Sequence, residues 1–221
     1  FHERATMIRG WDFGLNPTCV WVTVTAKGRI HVLGCVVGEN IGLEQLIKEA
    51  VEPWQADNDI HAPRATREQG FGLGAAAGFT FRDIGDPAGL QREQSNSDRS
   101  AAWTLQQMLN TSFEAAPPDW PARRDSLRAV LNRMIQGTPK LLIDPEAKPI
   151  IRALRGGWRY HKTSDGRLSS LPVKDIHSHP GDALAYVTAV LFPVEDLVRK
   201  VQNAAAMQVP VRAPAKSWLG L

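Results

Sequence analysis

The chain has 221 residues, is 43% apolar and 22% charged, and carries a formal charge of +3. That is the profile of an ordinary globular domain, long enough to bury a real core. No apolar run reaches the length of a membrane span and no signal peptide is visible, so membrane-embedded classes are excluded and no membrane partner is expected.

A pI near 9.0 permits a polyanionic partner without demanding one. The chain opens on Phe1 rather than Met, as a piece of a longer protein would. Cys19 and Cys35 lie in apolar, strand-like text without metal-type spacing. Buried free thiols are expected, in keeping with a reducing cytosol.

In chain order, three strands open the sequence: Thr6 to Asp12, Thr18 to Thr25 and Arg29 to Val37. The second is rich in β-branched residues, with Val20, Val22 and Val24 alternating. Turn residues Asn16-Pro17 and Lys27-Gly28 separate the three as antiparallel neighbours. Leu43, Leu46, Ile47, Ala50, Val51 and Trp54 then recur at helical spacing, with a stop between Pro53 and Asp57. Asp57 to Gly74 is polar and Gly-rich, and is expected to be a mobile loop. Ala75 to Asp83 is a fourth strand, ending at Gly85-Asp86-Pro87.

The second half is mainly helical. One helix is expected from about Asp98 to Leu109, and a Pro-rich link follows from Ala115 to Pro121. Leu127, Val130, Leu131, Met134 and Ile135 define the next helix, with Arg123, Arg124, Arg128 and Arg133 on its wet face. A short strand covers Leu141 to Ile143 and a short helix Glu146 to Arg155. Residues 158–174 alternate around Asp165-Gly166, a hairpin signal. A last helix starts near Pro180 and runs to Leu191. The order is that of an α/β, ribonuclease-H-like fold with a mixed sheet flanked by helices.

Three carboxylates stand out. Asp12 lies inside an apolar strand, where an acid is costly unless it is paired or holds a metal. Asp86 follows the fourth strand, and Asp182 lies in the first turn of the last helix. If the first and fourth strands are neighbours, Asp12 and Asp86 come side by side, and a helix across that edge brings Asp182 to the same point. Such an oxygen-rich set suits Mg²⁺ or Mn²⁺. Two ions about 3.5–4 Å apart would serve in-line attack of water on a phosphodiester. Taken singly, each acid has another reading: Asp86 as a turn residue, Asp182 as a helix-dipole partner, Asp12 as the mate of Arg9 or another buried base.

Three stretches, RGWDFGLNPT (Arg9–Thr18), IGDPAG (Ile84–Gly89) and VKDIHSHPGDALAYV (Val173–Val187), resemble the acidic motifs of the nuclease domain of bacteriophage terminase large subunits. The text from Asp119 through Arg133, then KLLIDP and LRGGWRYH, agrees with the family's spacing, so the resemblance spans about residues 8–192. It implies a metal-dependent endonuclease that cuts concatemeric double-stranded viral DNA during genome packaging, with Asp12, Asp86 and Asp182 catalytic. It implies two Mg²⁺ or Mn²⁺ ions on these acids, with His179 and Asp83 as auxiliary ligands; Asp83 competes with Asp86 for the second-acid role. His179 precedes Asp182 by one helical turn and reads equally as a helix-start residue.

The resemblance also implies partners: a terminase ATPase domain on the same full-length chain, the portal and the small terminase subunit, met in the host cytoplasm at the procapsid. No GxxxxGK[ST] loop occurs, so the ATPase domain is expected to be absent from this chain. Residues 1–195 are then the nuclease domain with a β-hairpin insertion at 158–174, and 196–221 a C-terminal helix and flexible or docking tail. Phosphate contacts are expected from Arg159, Lys162, Arg167 and Lys174 in or beside the hairpin, which reads equally as a solvated charged surface. The rival functions are another ribonuclease-H-like nuclease such as a junction resolvase, and a non-catalytic DNA- or portal-docking module.

Overall fold

The computed structural model describes residues 6–60, 79–91 and 99–194. Within them β1 (Thr6–Asp12), β2 (Thr18–Val24) and β3 (Ile30–Val37) form an antiparallel meander. Helix α1 follows, through Leu43–Leu46, a π-helical turn Ile47–Val51 and Glu52–Asp57. The wide turn sits just before Pro53, whose ring and missing N–H an unbroken α-helix would not accommodate. The helix ends at Asp57, within the Pro53–Asp57 stop that the sequence suggested.

β4 (Thr80–Gly85) runs parallel to β1 and is followed by a 3₁₀ turn, Pro87–Leu90. α2 (Ala101–Leu109) begins at Ser100, whose hydroxyl accepts from the Trp103 N–H, and ends at Asn110 in the left-handed region. β5 (Phe113–Ala115), a strand the sequence reading did not include, pairs parallel with β4 and ends where the Pro-rich link begins. α3 (Trp120–Leu131) is capped by Asp119, whose carboxylate accepts from the Ala122 N–H.

The helix expected to reach Ile135 stops at Leu131. Gln136 and Gly137 both have positive φ, 52° and 74°, and their tight turn pairs β6 (Met134–Ile135) with β7 (Thr138–Pro139). β8 (Leu141–Ile143) joins β3 in parallel. α4 (Lys148–Arg152) ends in a π-helical turn, Ala153–Gly157. β9 (Tyr160–Lys162) and β10 (Leu168–Pro172) form the expected hairpin. α5 (Ser178–Leu191) begins two residues before Pro180. The fourth strand's first residues, most of the 57–74 loop, Asp98 and segment 196–221 lie outside the described residues.

The six-stranded sheet has the order β5-β4-β1-β2-β3-β8 and is mixed. Both faces are covered, which is why β2 reads as a nearly unbroken apolar run. On one face Ile8, Val20, Val22, Ile30, Val32 and Ile84 meet α3, α4 and α5 through Leu127, Ile150, Leu184 and Val187. On the other, Met7, Trp11, Cys19 and Trp21 meet α1 and α2 through Leu46, Ile47, Val51 and Leu105. Cys19 and Cys35 are buried free thiols, as expected. Among the described residues no helix is long and apolar enough to cross a membrane.

Candidate active site

Strand alternation decides which acids can meet, because successive side chains point to opposite faces. On β1, Met7 and Trp11 belong to the α1 face, whereas Ile8 belongs to the α5 face. Asp12 therefore shares the α5 face with Gly10. The parallel register pairs Trp11 with Gly85, and the Asp86 N–H donates to the Trp11 carbonyl at 3.1 Å. Asp12 and Asp86 thus leave the ends of adjacent strands together.

α5 reaches the same point because Gly10 has no side chain. A Cβ there would lie 2.5 Å from Val187 Cγ2 and 2.8 Å from the Ala183 carbonyl oxygen, so the helix rests on β1 itself. Asp182, one residue before Ala183, is carried to the Asp12 end of the sheet.

Both acids are buried, Asp12 at 3% and Asp182 at 1% exposure. His179, on the first turn of α5, places Nδ1 2.7 Å from Asp12 Oδ2. Burial pushes the Asp12 carboxyl pKa up; the His179 hydrogen bond opposes this and the Asp182 charge adds to it. Asp182 Oδ2 accepts from Lys174 Nζ at 2.5 Å, and Asp182 Oδ1 lies 3.5 Å from Arg123 Nη1. The Asp86 carboxylate accepts from the Ala88 N–H at 2.9 Å, capping the 3₁₀ turn. Tyr186 links the three acids: burial raises its hydroxyl pKa, and the charges of Asp86, Asp12 and Asp182 raise it further, against Arg123.

Asp83 is not at this site. It is three residues from Asp86, hence on the opposite face of β4. There it is fully buried, takes Arg9 Nε and Nη2 at 2.8 Å each, and accepts from Trp11 Nε1. With Arg9 committed to Asp83, Asp12 is not Arg9's mate.

Arg123 also departs from expectation. Placed by the sequence on a wet helix face, it is 8% exposed, lies 4.3 Å from the Tyr186 ring centroid, and leaves Nε and Nη1 without hydrogen-bond partners. Its apolar neighbours at helical spacing, Trp120 and Leu127, were the available signal.

Of the basic residues proposed for phosphate, Lys174 is drawn into the site. Arg159 pairs with Asp175 at 3.3 Å and Arg167 lies 3.5 Å from Asp165, both on the solvent side. Lys162 is exposed on β9.

No family model matches this sequence, and no curated protein does. Among solved structures the chain is similar to the large-terminase nuclease domain of bacteriophage SPP1 with bound Mn, at 16% identity and TM-score 0.50 over 82% of this chain and 84% of that one. It is also similar to the large terminase of a thermophilic bacteriophage in complex with ADP, at 14% identity and TM-score 0.55 over 85% of this chain and 40% of that one. The fold is that of phage large-terminase nuclease domains. It is ribonuclease-H-like, as the element order predicted.

Whether a terminase-type metal suits these residues can be judged from the donors. Asp12, Asp86 and Asp182 supply hard carboxylate oxygens at one sheet end, and His179 supplies an imidazole, a set that suits a divalent ion. Among the described residues no three His, Cys, Asp or Glu side chains are yet drawn tightly enough together to hold one. The reasons are visible: Asp182 is turned onto Lys174 and Arg123, and Asp86 onto its own turn.

Proposed function

We propose that this chain is the nuclease domain of a phage terminase large subunit, a divalent-metal-dependent endonuclease acting on concatemeric double-stranded DNA as the genome is packaged. One observation carries the reading. A buried carboxylate, Asp12, stands at the end of the sheet beside Asp86 and Asp182, and among the described residues it has too few partners to neutralise it. Asp12 is held by one imidazole nitrogen, and its pKa is pushed up by burial. A buried acid so perturbed, at a strand end with other carboxylates beside it, is a candidate for function.

In this reading Asp12, Asp86 and Asp182 would hold Mg²⁺ or Mn²⁺, two ions in all. When bound, the metal lowers the pKa of water and neutralises charge on the phosphodiester. The chain's own residues do the rest. His179 orients Asp12 through Nδ1 and leaves Nε2 for the ion or its water. Arg123 places a buried positive charge 3.5 Å from one oxygen of Asp182. Arg159, Lys162 and Arg167 line a basic hairpin that can track a DNA backbone without reading sequence.

The domain spans residues 1–195 with the hairpin at 158–174, and an ATPase domain belongs to the same full-length protein. Portal and small terminase subunit are its assembly partners in the host cytoplasm.

Plasmid cleavage by this chain in Mg²⁺, Mn²⁺ or EDTA, beside Asp12→Asn, tests the reading. Metal-dependent nicking and linearisation are expected, reduced about a thousandfold in the variant, the equivalent of about 4 kcal/mol of charge stabilisation. Cutting in EDTA would remove the metal from the chemistry, and full activity in Asp12→Asn would remove Asp12. A folded protein that binds duplex and never cuts would favour the docking module instead. Faster cutting of branched than linear DNA would favour a resolvase.

A further inference from the structure

Asp182 is held by two cations of very different mobility. Arg123 sits within the wall: its side chain is 10% exposed and lies over the Tyr186 ring. Lys174 comes from the solvent side, its side chain 65% exposed while that of Asp182 is 1% exposed. The two cations also divide the carboxylate, Arg123 facing Oδ1 and Lys174 taking Oδ2 at 2.5 Å. Oδ2 is therefore the oxygen whose partner comes from the solvent side, and that partner is a donating lysine. An ammonium on a flexible four-carbon stem can leave such a contact, whereas a buried, stacked guanidinium cannot do so without breaking its packing.

We infer that Lys174 is an exchangeable counter-ion for Asp182: it neutralises Oδ2 until a divalent ion takes that oxygen, and the released ammonium then contacts the DNA backbone. The inference rests on the metal-site reading above and goes beyond it, because it makes the protein's own lysine a competitor of the ion. It also couples metal loading to duplex affinity. Lys174 directly follows Val173, whose N–H is bound to the Arg159 carbonyl at 2.8 Å, so the exchange takes place at the base of the β9–β10 hairpin.

The test is calorimetric titration of Mn²⁺ into the wild-type chain, Lys174→Met and Lys174→Arg, with a thermal melt of each. A lysine occupying its oxygen nine-tenths of the time weakens the ion about tenfold, so Lys174→Met should bind Mn²⁺ about tenfold more tightly. Lys174→Arg keeps a cation in place and should bind no more tightly than wild type. Without added metal Lys174→Met should melt lower, because Asp182 loses a partner. In saturating Mn²⁺ that deficit should vanish, which a merely structural ion pair would not allow. Duplex affinity by anisotropy should fall in Lys174→Met with Ca²⁺ present and not in EDTA.

Unchanged or weaker Mn²⁺ binding by Lys174→Met, beside clear binding by wild type, overturns the exchange and leaves the metal site standing. No Mn²⁺ binding by wild type overturns the metal site and the exchange with it. A duplex affinity that ignores Ca²⁺ in both proteins removes the DNA contact.

Discussion

Asp12 and Asp83 lie on adjacent strands of one sheet, at nearly the same depth, and face opposite ways. Asp83 is enclosed by a two-pronged Arg9 and the Trp11 indole N–H, with every part of its charge answered. Asp12 has the single nitrogen of His179, and another carboxylate presses on it. Burial is thus no guide to role. The count and fixity of partners are: an acid answered on all sides holds the sheet together, and an acid left short is available to a ligand.

That contrast can be broken most severely at Asp83. Asp83→Asn strands the Arg9 guanidinium in the core and should lower unfolding free energy in urea by about 3–5 kcal/mol. A loss within experimental error would mean that the pair is not what braces β1 to β4. Next comes His179, the hydrogen-bond partner of Asp12 among the described residues. His179→Ala should weaken Mn²⁺ binding about 10–100-fold while leaving the fold in place. An unchanged affinity would show that the imidazole neither orients Asp12 nor meets the ion.

The smallest effect sharpens the comparison by its sign. Burial raises the Asp12 pKa in the folded chain, from an ordinary value of 3.8. Such a group favours folding below its unfolded pKa, and that contribution is lost as pH rises through the raised folded value. Asp12→Asn should therefore stabilise the metal-free chain near neutrality, by an ordinary single-mutation amount of about 1 kcal/mol. The gain should shrink in mild acid. Urea midpoints of both proteins at the two conditions decide it, and a destabilised variant at neutral pH would contradict the account of Asp12 as an under-partnered acid. With the expected stabilisation, the two aspartates differ in sign as well as in size.

Much of this layout was legible in the chain. The β1–β3 meander, β4, the hairpin and α5 announced themselves by alternation, turn residues and helical spacing, because those signals are local. Asp12, Asp86 and Asp182 drew notice by where they stand along such elements. The side of the sheet that excludes Asp83 was also implicit, since residues three apart on a strand point opposite ways, but the text alone did not show where the strand ended.

Other features depend on distant contacts. β5 is three half-buried residues that become a strand only because β4 lies beside them. Arg123 reads as solvated until α5 arrives to cover it. Lys174 reads as a phosphate contact until Asp182 is found 2.5 Å away.

One glycine has a wider consequence. Because α5 lies directly on β1 at Gly10, the separation of Asp12 from Asp182 is set by a single touching surface and not by the accumulated slack of several loops. That separation inherits the incompressibility of a packed interior. The turn after Asp12, the 3₁₀ turn after Asp86 and the hairpin before α5 can all be lengthened, shortened or recharged, and the gauge between the two acids stays where it was. One added methyl at Gly10 would change it more than any of them.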